Sequence, residues 1–335
     1  MGQRKKRAFV VVLIILPVAL FLGSLTLGAY SIDPISVGKI ILAKITNTDL
    51  PGQAMAANLV WQVRMPRAIA AALVGAGLAV SGAVFQGLFR NPLASPYTLG
   101  VSNGAGFGSG LAIILSLTAF QVQLSAVLFG LVAVGITFLL AARGRQSTTT
   151  LVLSGMLVGS LFASLVSLLK FVADPTEKLP QIVYWIMGSL SAIDYHAILM
   201  ILPLYLAAMI LLFAYRWRIN VLSMGDQEAR SFGVEVERDK TIVIVAASVL
   251  TALVVSISGI IGWVGIVVPH LARMLVGHDF RKLLPASLSL GVCYLLIIDD
   301  ICRTLTASEI PIGVITGIVG VPLFLYFIYR KKVDW

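Results

Sequence analysis

Residues 66–88 read PRAIAAALVGAGLAVSGAVFQGL, with a single charged side chain, Arg67, at the second position. As a helix rising 1.5 Å per residue, this run is about 35 Å long, enough to cross a hydrocarbon core of roughly 30 Å. It has no polar face to offer water, as a surface helix of a soluble domain would. The stretch therefore reads as a membrane span. Comparable apolar runs lie near 8–30, 95–117, 122–142, 149–172, 195–215, 240–258, 282–301 and 310–329. A tenth segment, 260–276, contains GWVGIVVPHLARMLV and is short, glycine-rich and interrupted by Pro269. Counted as a short crossing, it brings the total to ten.

Composition agrees. Of 335 residues, 59% are hydrophobic and 12% charged, and the mean hydropathy is +0.97. Soluble domains carry about 45–50% apolar and roughly 25% charged residues, so half the usual charge is missing. Thirty glycines, thirteen prolines and two cysteines also exclude disordered, collagen-like and disulfide-scaffold classes. The fold class expected is an all-α polytopic membrane protein with about ten transmembrane helices.

The net charge of +10 would suggest nucleic acid in a soluble protein. Here it sets orientation, because basic residues collect in cytoplasmic loops. With Arg4, Lys5, Lys6 and Arg7 inside, ten crossings also place Arg90, Arg143, Arg145, Arg216, Arg218, Arg230, Arg238, Lys240, Arg273, Arg281, Lys282, Arg330, Lys331 and Lys332 inside. Lys39, Lys44, Arg64, Arg67, Lys170, Lys178 and Arg303 stay outside. Both termini are then cytoplasmic. The first apolar stretch exceeds the 7–15 residues of a signal-peptide core, so it counts as the first helix. The chain reads as one membrane domain, 1–335, with two long polar segments, 31–65 outside and 216–240 inside.

Little chemistry of the usual enzymatic kinds is present. The phosphate-binding pattern GxxxxGK[ST] does not occur, since Gly38–Lys39 lacks both its upstream glycine and a following Ser or Thr. His196, His270 and His278 are scattered, and Cys293 and Cys302 have no metal-site spacing. No catalytic residue and no metal site is expected. A membrane enzyme would need a carboxylate or metal cluster, and Asp299–Asp300 stands without further acidic neighbours. Proton-coupled carriers place ionisable residues inside spans, and here Lys170, Asp299, Asp300 and Arg303 sit towards span ends. Asp299 and Arg303 are four apart and can pair on one helix face.

Glycines recur at close-packing spacing: Gly100, Gly104 and Gly108, Gly106 and Gly110, Gly155 and Gly159, with Gly75 and Gly82 in the second span. Small residues four apart let helix backbones approach. The inside segment RWRINVLSMGDQEARSFGVEVERDK (216–240) predicts a short water-facing helix of about two turns. Ser223 and Asp226 resemble a capping box, and Gly233 serves as the stop. It reads either as an ordered loop or as a docking element. Outside, Arg64 and Arg67, two arginines within four residues, suggest with Arg303 either lipid anchors or a basic rim for an acidic partner.

RMPRAIAAALVGAGLAVSGAVFQGLFRNPLASPYTLGVSNGAGFG (64–108), LVLSGMLVG (151–159), YWIMGSL (184–190), LSMGDQEARSFGV (222–234), GIIGWVGIVVPHLARMLVGHD (259–279) and EIPIGVITGIVGVPLFLYFI (309–328) together resemble the FecCD family. These are permeases of ABC importers for iron–siderophores, haem and vitamin B12. The resemblance runs in order from about residue 8 to the C-terminus. It implies the type II importer fold with ten helices per subunit, and a second permease copy, most simply a homodimer. It also implies two ATPase subunits inside, a substrate-binding protein outside and a path between the two permeases. ATP and Mg would belong to the ATPase, and no cofactor to this chain. The bilayer is a partner, nucleic acid is not, and the location would be a bacterial or archaeal cytoplasmic (inner) membrane.

The same resemblance assigns roles to residues. Gly225, Glu228, Ala229, Arg230 and Gly233 fall in the segment that docks in the ATPase cleft, so 216–240 becomes a coupling loop. Arg64, Arg67 and Arg303 match arginines that meet acidic residues of the binding protein. Thr148 and Thr149, within RQSTTTLVL, match a cytoplasmic gate. An iron–siderophore is the leading substrate, with haem, cobalamin or an oxyanion such as molybdate open. A self-sufficient secondary transporter is the alternative of another class.

Overall fold

The structure is a computed structural model that describes residues 3–28, 30–48, 52–142, 148–306 and 308–330. Those residues form fourteen helices and no strand. Six are long and apolar enough to cross a membrane: Ala54–Phe89 (α3), Ala119–Ala142 (α5), Thr148–Val172 (α6), Tyr195–Ala214 (α8), Val236–Ser258 (α11) and Phe280–Thr304 (α13). Gln3–Ser24 (α1), Val101–Ile114 (α4), Val264–Val276 (α12) and Ile312–Arg330 (α14) complete the ten expected crossings. Pro34–Thr46 (α2), Lys178–Met187 (α7), Arg216–Met224 (α9) and Asp226–Ser231 (α10) lie in the connections.

Two expectations change. The outside segment 31–65 is not a plain loop. Asp33 accepts a hydrogen bond from the Ser36 N–H, and Pro34 opens α2 with its φ already helical. From Ala54 the chain enters α3, a dozen residues before the predicted start of the second span. Pro66 cannot donate a helical hydrogen bond, and its ring crowds the carbonyl of residue 62. The helix answers with a π turn over Leu59–Arg64, the Met65 N–H reaching back to the Val60 carbonyl. The run 95–117 also shrinks, since only Val101–Ile114 is helical, after Gly100 at φ +79°.

With 14 and 13 residues, α4 and α12 are about 20 Å long, short for a lipid-exposed span. Their depth is set by other helices instead. Most of α12 is buried, and α3 and α11 are enclosed as well, whereas α5, α6 and α8 keep most of their surface outward.

Glycine seams bring the central backbones together. A Cβ on Gly75 would stand 2.2 Å from the Gly291 carbonyl oxygen, and one on Gly82 would stand 2.0 Å from that of Gly265. So α3 crosses α13 and α12 in direct backbone contact. Within α4 the two glycine series part company. Cβ atoms at Gly104 and Gly108 would meet the Phe129 and Ser125 carbonyls of α5 at 2.5 and 2.3 Å. At Gly106 the nearest atom is 3.8 Å away. Gly104→Ala is therefore expected to destabilise by about 1–3 kcal/mol through overpacking, and Gly106→Ala to be neutral or slightly stabilising. Thermal unfolding of the two purified variants in detergent checks this, and equal melting temperatures would remove the distinction.

Candidate functional site

Polar side chains gather at the two ends of the bundle. At one end, α8 runs into α9 and then, through Gly225, into α10. Gly225 adopts φ +138°, and the place its side chain would take holds the Glu228 carboxylate, with an Arg90 guanidinium nitrogen beside it. The predicted capping box is not formed: Ser223 lies inside α9 and donates to the Asn220 carbonyl at 2.7 Å, while Gly225 caps α10 without a side chain. The predicted stop is formed. Gly233 sits at φ +76°, and the N–H groups of Gly233 and Val234 bond the Arg230 and Ala229 carbonyls at 3.0 and 3.1 Å.

Ala229 is fully buried and seats α10 on the bundle. Gln227, Glu228, Arg230 and Ser231 remain exposed. So do two apolar side chains that sequence reading passed over, Met224 and Phe232, which flank α10. Arg230 meets Glu237 at 3.7 Å between exposed side chains, a weak contact.

The segment is fastened from three sides. Arg218 of α9 pairs with the buried Asp239 of α11. The Asn220 amide donates to Asp279 at 2.8 Å and accepts from the Phe280 N–H at 2.8 Å. The Arg281 backbone N–H and the Asn220 amide hold the Asp279 carboxyl below its ordinary range. Lys240 of α11 bonds both Asp226 and Thr148. Thr148 thus joins the α9–α10 segment through a side chain, and Thr149 beside it is exposed. Arg145, Gln146 and Ser147 of the predicted gate motif lie outside the described residues.

At the opposite end the three arginines come together, but not as a displayed rim. Arg64, Arg67 and Arg303 are 4, 5 and 8% exposed. Arg64 donates to the carbonyls of Leu25 and Thr26 at 2.8 and 3.0 Å, and to that of Tyr30. Arg67 holds Asp299 through Nε and Nη2 at 2.9–3.0 Å, and Glu309 through Nη1 at 2.8 Å. Arg303 pairs with Asp300, bonds Ser24 and the Leu27 carbonyl, and stands 3.9 Å from Asp299. Arg67 and Arg303 share the three carboxylates while Arg64 is held by backbone carbonyls, and the six side chains together are formally neutral. The cluster staples the end of α1, the start of α3, the end of α13 and the segment before α14. Sequence reading allowed for the Asp299–Arg303 pairing, but the main partner of Asp299 is Arg67.

At this end also lies a cavity of about 710 Å³, bordered by Gln123, Gln181, Tyr184, Trp185, Asp194 and His196. Among the described residues, no group of His, Cys, Asp and Glu is arranged to hold a metal ion.

The chain is similar to known proteins in sequence and in fold. A model of the FecCD transport family matches residues 13–330. The molybdate import system permease protein MolB of Haemophilus influenzae is 40% identical over 310 residues, 92% of this chain and 91% of that protein. The hemin transport system permease protein HmuU of Yersinia pestis is 36% identical over 339 residues, 99% of this chain and 98% of that protein. Among solved structures, a metal-chelate type ABC transporter in an inward-facing conformation superimposes with a TM-score of 0.88 at 37% identity, covering 97% of this chain and all of that one. With the family pattern running through nearly its whole length, and its helices placed as in that transporter, the chain belongs to the FecCD transport family.

Proposed function

We propose that this chain is the permease subunit of an ABC importer for a metal chelate, a ferric siderophore first among them. Two copies stand side by side and form the path between them. Two separate ATPase subunits, which bind the ATP and Mg, engage the α9–α10 end. An extracytoplasmic binding protein delivers substrate at the arginine end. The location is the cytoplasmic (inner) membrane of a bacterium or archaeon, with both termini and α10 on the cytoplasmic side, as the excess of basic residues there favours.

The observation that carries this reading is α10 itself. It is a short helix set outside the apolar bundle, seated by Ala229 and displaying polar residues between exposed Met224 and Phe232. Anchoring apolar side chains within a polar surface are what a groove-bearing partner engages. The neutral arginine cluster leaves a narrower role for Arg64, Arg67 and Arg303: they shape the surface a binding protein meets, and their guanidinium groups are committed within the chain.

A second substrate reading, an oxyanion, is favoured by the similarity to the molybdate permease. Purification from the native host with its associated ATPase and binding protein, followed by reconstitution in vesicles, decides between them. ATP-dependent accumulation of ferric siderophore, haem or cobalamin supports the chelate reading, and accumulation of molybdate alone replaces it. Transport without any ATPase would establish a secondary transporter. Arg230→Glu with Phe232→Ala is expected to weaken ATPase association about tenfold or more; undiminished co-purification would remove α10 as the docking helix.

A further inference from the structure

Lys240 is 4% exposed and lies in the second turn of α11. Its Nζ donates to Asp226 Oδ1 and Oδ2 at 2.9 and 3.1 Å and to Thr148 Oγ1 at 3.0 Å. An ammonium group has three N–H donors, and these contacts occupy all of them. Asp226 is the first residue of α10 and Thr148 the first of α6. One buried charge therefore touches the helix proposed to meet the ATPase and the start of a helix that turns much of its length outward from its own subunit. Asp239, immediately before Lys240, holds Arg218 of α9. Adjacent residues of α11 thus grip both halves of the coupling segment, and of these two grips only that of Lys240 extends to α6.

We propose that Lys240 is a positioning residue that transmits displacement of α10 to the first turn of α6, coupling nucleotide-driven movement to the opening of the path. This rests on the reading of α10 as the ATPase-docking helix. The two legs of the link differ in strength. The Asp226 leg is a charge-assisted pair, the buried Lys240 Nζ held by both oxygens of a half-exposed carboxylate. The Thr148 leg joins a charge to a neutral hydroxyl and is the weaker of the two. A pull on α10 therefore carries Lys240 with it, and Lys240 draws on the start of α6 or lets it go.

The test uses the full transporter, with its ATPase and binding protein, in proteoliposomes supplied with whichever substrate the wild type accumulates. The readout is substrate imported per ATP hydrolysed. Lys240→Met is expected to lower this ratio about tenfold, within the usual range of coupling between sites. Lys240→Arg should restore most of it. Thr148→Val, which cuts only the α6 leg and leaves the Lys240–Asp226 pair intact, is expected to lower the ratio about threefold to fivefold. The double variant should be no worse than Lys240→Met alone, since both changes break one chain of contacts. An unchanged ratio in Thr148→Val, or a double-variant loss equal to the product of the two single losses, would overturn the link; Thr148→Val decides the question even if Lys240→Met fails to assemble. ATP-dependent import absent from the wild type would instead overturn the importer reading, and this outcome is distinct from wild-type import with unaltered variants.

Discussion

Replacing Arg67 by alanine is expected to lower the melting temperature of the detergent-solubilised protein by roughly 5–10 °C, in line with about 3–5 kcal/mol for breaking a buried ion pair from one side. The loss arises from what is left behind. Asp299, at 0% exposure, would keep only Arg303 Nε at 3.9 Å, and Glu309 would lose its bidentate partner. A buried carboxylate without a close cation must take up a proton or draw in water, and either disrupts the junction of α3 with α13. The companion variant Arg67→Met with Asp299→Leu removes both charges and should recover most of the stability, because an apolar pair of similar volume needs no desolvation. Fluorescence-detected size-exclusion after stepped heating measures all three proteins. If Arg67→Ala melts with the wild type, the ion pair is not structural and Arg67 is free to serve a partner. The expected result also bears on docking experiments: a charge reversal at Arg64 or Arg67 would damage the fold before it reported on a binding protein.

Gly82→Ala should be nearly as damaging although it adds one methyl group. The new Cβ would stand 2.0 Å from the Gly265 carbonyl oxygen and 2.7 Å from its Cα. Both neighbours are backbone, so no side chain can rotate away, and α3 and α12 must separate by more than 1 Å, roughly the shortfall from an ordinary contact. Overpacking of this kind costs about 1–3 kcal/mol and sometimes more. The effect should fall at the upper end here, because α12 also packs its Gly265 against the Pro96 ring. Gly135 of α5 is the matched control. Nothing lies within 4 Å of its missing Cβ, and Gly135→Ala is expected to be neutral or to gain a few tenths of a kcal/mol from helix propensity. Thermal unfolding of the pair separates the two readings of a membrane-helix glycine, and equal stability would mean that the α3–α12 seam yields more easily than its geometry implies.

Much of the site was legible because its signals are local. Gly225 and Gly233 bracket a short polar stretch, and the structure places α10 between them. The details that failed were those that depend on neighbours. Ser223 and Asp226 have capping-box spacing, but α9 continues through Ser223, so the hydroxyl turns back to the Asn220 carbonyl. Arg64, Arg67 and Arg303 read as a cationic rim because no local pattern shows that Arg67 pairs with Asp299 and Glu309, 232 and 242 residues away. Lys240 counted only as one of several basic residues of an inside segment, since nothing in the sequence aligns it with Thr148.

Hydropathy, run length and the distribution of basic residues by themselves pointed to a membrane protein of about ten spans and to which segments share each end. Those properties follow from how each segment partitions between water and lipid, which depends on its own residues. Tertiary structure alone decided which glycines touch backbone, which arginines are neutralised and which short helices span by standing behind others. Each of those depends on the depth and rotation of one helix relative to another, set by contacts between residues hundreds of positions apart, and no periodicity along the chain records them.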